Sequence, residues 1–241
     1  NSALVGRVLD ALPEGPEVIV VDNCSEYQVE HSRIDKYVRL DENKGFAAAN
    51  MIGLENTDKP LILALNDDCI PPDSPVWLDV MVNTIDEPDV GVVGAKLLYP
   101  DGRLQHAGIV FDWHREDVGY HRWYGKADRP AANQLQDIPA VTGACLLARR
   151  ELFDMRPDLY PMGNYEDAHL CLSSWLAGWR VVYQPGATLT HIEGVTKRSS
   201  DIDFVRHNRK TFIENWRDEF LDSGHMEGAR IANESRHLYD R

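Results

Sequence analysis

Apolar positions in the first hundred residues alternate between helical spacing and short continuous runs. Leu4, Val8 and Leu12 recur at intervals of four residues, which predicts an amphipathic helix. Leu61–Leu65 is continuously apolar, as expected of a strand that is buried on both faces of a sheet. The predicted elements follow the order α-β-β-α-β-α-β: Ala3–Leu12, Val18–Val21, Tyr37–Leu40, Ala47–Leu54, Leu61–Leu65, Val76–Ile85 and Val90–Leu98. This order is typical of an α/β fold with a mostly parallel central sheet flanked by helices, and because it opens on a helix we expect one further strand before Asn1.

The pattern after residue 100 is less regular. Trp113–Asp137 is polar and aromatic without a clear period, which predicts a long loop that is either functional or a disordered insertion. Pro139–Arg149 is small and apolar and predicts a buried strand. The remaining predicted elements are a helix after Asp167 that stops at Gly178, strands at Arg180–Tyr183 and Thr188–His191, a helix at Asp203–Phe220, and a polar tail over residues 221–241.

Composition narrows the functional classes. The chain has 241 residues, 43% of them hydrophobic, which is enough for one large α/β domain. A net charge of −14 argues against a general nucleic-acid binder, although it leaves room for a nucleotide ligand held by a metal and a few local cations. The four cysteines lack Cys-x-x-Cys spacing, which argues against structural zinc and favours a reducing compartment. No signal peptide or membrane-spanning apolar run is visible.

Polar residues follow the apolar run Leu61–Leu65 without a transition. Asn66, Asp67 and Asp68 stand at the end of this strand, where open α/β sheets bind ligands. Clustered oxygen ligands suit a hard divalent cation such as Mg²⁺ or Mn²⁺. Asn and Asp are also common turn residues, and Pro71–Pro72 follow, so this stretch alone allows either a turn or a metal site.

Two earlier loops carry weaker signals. Asp22-Asn23-Cys24-Ser25 follows a short strand and is either an Asx turn or a ligand contact. Asp41–Phe46 precedes a helix rich in small residues, and Gly45 there could let a ligand approach the backbone closely. Simple close packing of the helix is the alternative explanation for that glycine.

Acidic and basic groups in the second half allow both structural and catalytic interpretations. Glu166 and Asp167 begin a helix, where carboxylates complement the helix dipole. One of them could also act as a general base, and the like charge of the other would then oppose a loss of its basicity. His191 is either a packing residue or a metal ligand that completes the Asp68 site. Lys197 and Arg198 lie either in a solvated loop or against phosphate oxygens.

The order of these signals is more specific than any one of them. The chain resembles the GT-A-fold glycosyltransferases of family two, especially rhamnosyltransferase-like members that build bacterial surface polysaccharides. The resemblance runs from Val18 to about Trp216 and rests on six motifs: Val20-Val21-Asp22-Asn23-Cys24-Ser25, Asn43-Lys44-Gly45-Phe46-Ala47-Ala48-Ala49-Asn50, Leu65-Asn66-Asp67-Asp68, Thr142-Gly143-Ala144-Cys145, Asn164-Tyr165-Glu166-Asp167 and His191-Ile192-Glu193.

The resemblance implies a role for each matching position. It implies a Rossmann-like GT-A domain over residues 1–241, with a nucleotide-sugar half to about residue 100 and an acceptor and catalytic half to about residue 220. Asp167 would be the catalytic base beside Glu166, and Asp68 and His191 would hold Mg²⁺ or Mn²⁺. The donor-binding residues would be Asp22, Asn23, Asn43, Gly45, Asn50, Asn66, Asp67, Thr142, Gly143, Lys197 and Arg198.

The implied activity is inverting, metal-dependent transfer of a sugar from a UDP-, dTDP- or GDP-linked donor to a hydroxyl of a glycan or lipid-linked acceptor. The implied location is the cytoplasm, with peripheral association at the inner face of the membrane left open. Asn215-Trp216-Arg217 does not match the Gln-x-x-Arg-Trp motif of processive synthases, which favours addition of one or a few sugars. A sugar nucleotidyltransferase and a non-catalytic GT-A-like binding domain of a larger protein are the alternatives.

Overall fold

A computed structural model describes residues 2–115, 117–192 and 202–234. Six α-helices and eleven strands make up the regular structure of these residues. The helices are α1 Ser2–Asp10, α2 Phe46–Glu55, α3 Val76–Ile85, α4 Glu166–Leu176, α5 Ile202–Asp222 and α6 Glu227–Glu234. The strands are β1 Ile19–Asp22, β2 Lys36–Arg39, β3 Leu61–Leu65, β4 Cys69–Ile70, β5 Val90–Leu98, β6 Leu104–His106, β7 Ile109–Phe111, β8 Gly119–His121, β9 Gln136–Asp137, β10 Cys145–Arg149 and β11 Arg180–His191.

A seven-stranded mixed sheet forms the centre of the fold. Its main path runs β3-β10-β5-β11-β4, while β6 pairs with β5 and β9 pairs with β11. β5 and β11 are parallel, and β10 is antiparallel to both β3 and β5. β1 and β2 form a separate parallel pair, and β7 and β8 an antiparallel pair. The α/β class agrees with the sequence prediction, but the pairing is more antiparallel than the predicted mostly parallel sheet.

The inserted strand β10 explains this difference and positions the site. Cys145 at the start of β10 pairs with Leu65 at the end of β3, so the chain enters β10 at the carboxyl end of β3. A strand that enters there must run antiparallel, because no crossover helix has returned the chain to the opposite edge. β3, β5 and β11 consequently point the same way, and their carboxyl ends lie at one edge together with the start of β10.

Hydrophobic residues cover both faces of the sheet. β5 is buried along almost its whole length, and its neighbours Val92 and Val93 belong to different clusters on opposite faces. One cluster packs α3 against the sheet through Trp77, Met81 and Ile85. The other includes residues of α4, α5 and α6. This arrangement accounts for the continuous apolar runs that marked β3 and β5 in the sequence.

Several segments of the second half differ from the sequence prediction. Trp113–Asp137 is not one loop, since it contains β8, a 3₁₀ turn and β9, and its Arg122 is fully buried. Only Cys145–Arg149 of the predicted strand Pro139–Arg149 is a strand. The polar tail, whose sequence allowed it to be partly helical, includes α6, whose Ala229 is buried. These segments gain their order from long-range packing, which local periodicity does not report.

The thiols and helices of the described residues add two observations. Cys24 is exposed, Cys69, Cys145 and Cys171 are buried, and all four are free. Burial raises the pKa of the Cys69, Cys145 and Cys171 thiols, which keeps them protonated and inert. Within the described ranges, no helix combines the length and apolar character needed to cross a bilayer.

Candidate active site

Asp68 and His191 meet at the ligand-binding edge of the sheet. Asp68 Oδ1 lies 2.9 Å from His191 Nε2, and both residues are buried. β4 brings them together, because Cys69 pairs with His191 in the antiparallel β4–β11 register and the Ile192 amide donates to the Asp68 carbonyl. Two residues that are 123 positions apart in sequence therefore share one site.

The imidazole of His191 is oriented from behind by Gln105. Gln105 Oε1 lies 2.6 Å from His191 Nδ1, so it accepts the proton on that nitrogen. In the neutral ring, Nε2 then carries a lone pair that faces a carboxylate oxygen of Asp68. Two acceptors this close require a proton or a metal cation between them. A carboxylate and an imidazole with a supporting amide on the far nitrogen form a donor set that fits a divalent cation.

Protein ligands supply only part of such a coordination shell. Across residues 2–115, 117–192 and 202–234, no group of three or more His, Cys, Asp or Glu side chains is arranged to hold a metal ion. Mg²⁺ is commonly held by one or two carboxylates together with substrate phosphates, so a two-residue site is compatible with a cation that binds along with a diphosphate.

Asn66 and Asp67 occupy the turn between β3 and Asp68. The Asn66 amide donates to the Ala144 carbonyl at 2.9 Å, and its own carbonyl accepts from Cys69, which closes the turn. The Asp67 side chain is open to solvent. Desolvation and the nearby charge of Asp68 nevertheless raise the pKa of Asp67. Both the turn and the metal-site interpretations of this stretch are thus compatible with its geometry.

Asp167 lies at the start of α4 and faces the segment that precedes β10. Its Oδ2 accepts the Gly143 amide at 2.9 Å, and its Oδ1 accepts the Ala168 amide at 2.7 Å. Two backbone donors orient the carboxylate, and each oxygen retains a lone pair for a further partner. Glycine leaves room at this contact, because an added Cβ at Gly143 would lie 3.0 Å from the Phe46 ring and would require that ring to shift.

Glu166 has a different environment from its neighbour. Its side chain is buried, and Oε2 has no hydrogen-bond partner within the described residues. Desolvation, followed by the charge of Asp167, raises the pKa of Glu166 to about 8. Glu166 is therefore protonated at neutral pH, while the Asp167 side chain accepts hydrogen bonds from two backbone amides.

Thr142–Ala144 connects the two acidic groups. Ala144 bonds to the turn before Asp68, and Gly143 bonds to Asp167. The Thr142 amide donates to Nε2 of the fully buried His106 at 3.4 Å. Burial, with His121 and Arg122 nearby, holds the pKa of His106 well below its usual value, so this histidine is a neutral acceptor.

Asp22 is enclosed by its neighbours at the end of β1. Its carboxylate accepts from the Tyr37 hydroxyl, the Arg39 guanidinium and the Ser25 amide. Burial alone would raise the pKa of Asp22, but hydrogen bonds from Tyr37 and Ser25 and the Arg39 charge lower it overall. The side chain thus stabilises the β1–β2 pair, and its predicted contact with the donor stays a prediction.

Asn23 and Asn43 hold the adjacent loop. Asn23 Nδ2 donates to Asn43 Oδ1 at 2.9 Å and to the Gly45 carbonyl at 3.1 Å, and Asn23 Oδ1 accepts the Lys44 amide. Asn50, one turn into α2, donates to the Phe46 carbonyl. These amides therefore build the loop that was predicted to line a nucleotide.

Gly45 joins this loop to the catalytic half. Its φ is +86°, and an added Cβ would lie 2.4 Å from the Met162 Cα. Gly45 forms a parallel β-bridge with Met162, which lies four residues before Glu166. Gly45 thus packs against the turn before α4, and its predicted approach to a ligand stays a prediction.

Some predicted residues lie elsewhere, and some contributors were not predicted. Lys197 and Arg198, and the loop around them, lie outside the described residues. Gln105 and His106 were assigned no role, although both contact site residues. Their only signal in the sequence is a pair of polar residues in the otherwise apolar stretch Leu104–Phe111.

Comparison with known sequences gives consistent relatives. The model of the glycosyl transferase family 2 matches residues 3–156. "Uncharacterized protein y4gI" of Sinorhizobium fredii is 35% identical over 81% of this chain and 24% of its own length. The O-antigen biosynthesis protein RfbC of Myxococcus xanthus is 29% identical over 77% of this chain and 16% of its own length. An N-acetylglucosaminyltransferase of Azorhizobium caulinodans is 27% identical over 70% of this chain and 45% of its own length. The chain thus spans less than half the length of these three relatives.

Solved structures share the fold. The structure of GalNAc-T7 with UDP, GalNAc and Mn²⁺ aligns over 92% of this chain and 48% of its own, with a TM-score of 0.61 and 14% identity. The mannosyltransferase PcManGT of Pyrobaculum calidifontis, in complex with GDP-Man and Mn²⁺, aligns over 100% of this chain and 73% of its own, with a TM-score of 0.57 and 17% identity. The protein has the GT-A fold and belongs to glycosyl transferase family 2, as the resemblance in its motifs indicated.

Proposed function

We propose that this chain is a glycosyltransferase domain that moves a sugar from a nucleoside diphosphate donor to a hydroxyl group of a glycan or lipid-linked acceptor. One observation carries the proposal: Thr142–Ala144 contacts Asp167 on one side and the turn before Asp68 on the other. This shared contact supports a site that combines a carboxylate suited to proton removal with a carboxylate–imidazole pair suited to a metal-bound diphosphate. Family membership supports the reaction class.

Asp68 and His191 would hold the divalent cation, with Gln105 fixing the ring of His191. When bound, Mg²⁺ or Mn²⁺ supplies positive charge that neutralises the departing diphosphate. The Mn²⁺ in the structures of GalNAc-T7 and PcManGT supports this assignment. Asp67, next to Asp68 and open to solvent, is suited to a ribose or sugar hydroxyl.

Asp167 would act as the general base. Its carboxylate takes the proton of the acceptor hydroxyl while the hydroxyl oxygen bonds to the anomeric carbon, and the bond from that carbon to the diphosphate oxygen breaks. Attack from the face opposite the diphosphate inverts the configuration. Glu166 stays protonated and places no second negative charge beside the base.

The donor-side loops complete the proposed site. Asp22, Asn23, Asn43 and Asn50 shape the surface that receives the nucleotide, and Thr142 and Gly143 lie beneath the transferred sugar or the acceptor. A glycan or lipid-linked acceptor is supported by the name of RfbC, an O-antigen biosynthesis protein. Lys197 and Arg198 are proposed to contact the diphosphate.

Asp167→Asn is the test of the base assignment. The amide keeps the shape of the side chain but cannot take a proton, so we expect transfer to fall about 10²–10⁴-fold while donor affinity is unchanged. Transfer is measured as release of nucleoside diphosphate with Mn²⁺, a panel of UDP-, dTDP- and GDP-sugars, and oligosaccharide or lipid-linked acceptors. NMR of the glycoside reports its anomeric configuration.

Asp218→Asn is the matched control, because Asp218 is an exposed carboxylate on α5. Near-normal transfer by Asp167→Asn with intact donor binding would remove Asp167 as the base. Pyrophosphate release from a nucleoside triphosphate and a sugar phosphate would point to a nucleotidyltransferase. Donor binding without turnover on any acceptor would point to a binding domain.

A further inference from the structure

The turn that leads into Glu166 and Asp167 has an unusual backbone. Met162, Gly163, Asn164 and Tyr165 have φ values of 65°, 116°, 79° and 72°. Three of these four residues carry a Cβ, and side-chain residues in this left-handed region each cost on the order of 1 kcal/mol. Such a turn persists only where its surroundings hold it, so its contacts decide where Asp167 points.

Asn208 of α5 holds this turn from one side. It is fully buried, and its Nδ2 lies 3.0 Å from the Pro161 carbonyl, 2.6 Å from that of Gly163 and 3.4 Å from that of Asn164. One amide group thus donates to three carbonyls within four residues. Its Oδ1 has no partner among the described residues, so only the donor half of the amide is used.

The donor-side loop holds the same turn from the opposite direction. Gly45 packs against Met162, and the Phe46 amide donates to the Met162 carbonyl at 3.4 Å. The Phe46 ring also lies against Gly143, whose amide bonds to Asp167. The turn is therefore enclosed by α5 and by the loop before α2, and α5 contributes the side-chain donor Asn208 Nδ2 while the loop contributes the Phe46 backbone amide.

We propose that Asn208 is a positioning residue: it stabilises the left-handed turn Met162–Tyr165 and thereby keeps the Asp167 carboxylate on the Gly143 amide. The role of Asp167 as base in this inference rests on the proposed function. The effect of Asn208 on the position of the Asp167 carboxylate does not. The hydrogen bonds of Asn208 go to the backbone carbonyls of Pro161, Gly163 and Asn164 and not to Asp167, so Asn208 acts through the backbone of the turn. An error of about 1 Å in the position of a catalytic group can cost roughly 10²-fold in rate.

Hydrogen exchange of the Gly143 amide tests the geometry without any substrate. This amide donates to Asp167 Oδ2, so its exchange rate reports whether the carboxylate is in place. We expect Asn208→Ala to accelerate Gly143 exchange on the order of tenfold relative to the Leu147 amide, which lies in the central strand β10. Asp167→Ala sets the rate when the hydrogen bond is absent.

Asn233→Ala is the matched control. Asn233 of α6 is also a buried asparagine that bonds to backbone, donating to the Phe111 carbonyl and accepting from its amide. Its loss removes hydrogen bonds to Phe111 of β7 and none to the turn Met162–Tyr165, so Gly143 exchange should stay unchanged. If the alanine variant does not fold, Asn208→Leu serves as a second variant. Leucine fills a similar volume and removes the hydrogen-bond donor.

Kinetics provide the second readout. Asn208→Ala or Asn208→Leu should lower kcat on the order of 10-fold to 100-fold with UDP-N-acetylglucosamine or GDP-mannose, whichever the wild type turns over, while the donor KM stays within about twofold. Asn233→Ala should leave both constants unchanged. Equal effects of the Asn208 and Asn233 variants on Gly143 exchange would overturn the inference, as would a raised donor KM with unchanged kcat. Near-normal transfer by Asp167→Asn would instead overturn the proposed base and leave the exchange result standing.

Discussion

Two parts of the molecule use the same residue types for different purposes. In the donor-side loops, Asp22–Ser25 and Asp41–Gly45, the Asp22 carboxylate and the Asn23 and Asn43 amides bond to neighbouring side chains and backbone. The catalytic edge, which comprises Asn66–Asp68, Thr142–Ala144, Glu166–Asp167 and His191, leaves acceptors facing each other or without a partner. Saturated polar groups stabilise a fold, while incompletely paired ones keep capacity for a ligand.

The position of each group in the sheet explains the contrast. β1 and β2 form a two-stranded pair, which cannot bury much apolar surface, so the side chains at its end hold it together. The catalytic edge lies on the seven-stranded sheet, where both faces are already packed. A well-packed scaffold can tolerate groups whose partners come from a substrate.

Gly45→Ala should have the largest effect, since it lies where the two parts meet. The added methyl would sit 2.4 Å from the Met162 Cα at a φ of +86°, and we expect a loss of about 4 kcal/mol in the free energy of unfolding. Gly15→Ala is the control, because Gly15 has a φ of +109° with nothing within 4 Å, and it should cost about 1 kcal/mol. Urea denaturation of both variants measures the difference. Equal losses in the free energy of unfolding would show that the contact with Met162 adds nothing to the cost of the Gly45 substitution.

Glu166→Gln should change how stability depends on pH. The pKa of Glu166 is about 8 in the folded protein against 4.5 for the free side chain, so between these values the unfolded chain releases a proton that the folded protein keeps. The contribution of protonated Glu166 to the free energy of unfolding is fully present below pH 4.5 and is lost as pH rises to 8, by on the order of 4 kcal/mol. Glutamine cannot ionise, so this loss should disappear in the variant. Unfolding measured from pH 4.5 to 8 in the two proteins gives the two slopes, and identical slopes would mean that Glu166 is charged in the folded state.

The smallest effects come from the pair Asp22→Asn and Asp68→Asn, which addresses the comparison directly. Asp22→Asn weakens charge-assisted hydrogen bonds and should destabilise the protein by about 2 kcal/mol. Asp68→Asn should leave stability nearly unchanged and weaken Mn²⁺-dependent binding of UDP or GDP about 10-fold or more. Calorimetric titration with Mn²⁺ and then with EDTA measures the binding. If Asp22→Asn abolishes nucleotide binding in a protein of normal stability, the donor-side loops are functional ligands and the comparison fails.

Much of the first half was predictable from local patterns. Val76–Ile85 and Val90–Leu98 begin and end where the sequence predicted, because each combines a clear hydrophobic pattern with flanking turn residues. The six motifs also identified the family. The second half was harder, since Trp113–Asp137 is ordered by buried residues such as Arg122 that bond to distant backbone.

The site could be predicted only as a set of residue types. Asp68, Asp167 and His191 were identifiable by their positions after a strand, at a helix start and at a strand end. Nothing local distinguished Asp22, whose carboxylate is enclosed, from Asp68, whose carboxylate faces an imidazole. Gln105 and Asn208 were missed because their roles depend on residues 86 and about 45 positions away.

By itself, the sequence determined the alternation of helices and strands, the family, and the acidic groups that carry the proposed chemistry. Short-range periodicity and motif spacing are sufficient for these, since each depends on residues within one element or loop. The tertiary structure alone decided that β10 runs antiparallel and brings Gly143 to Asp167 and Ala144 to the turn before Asp68. It also decided which carboxylates are saturated, because burial and hydrogen-bond partners are set by contacts between segments that lie far apart in the chain.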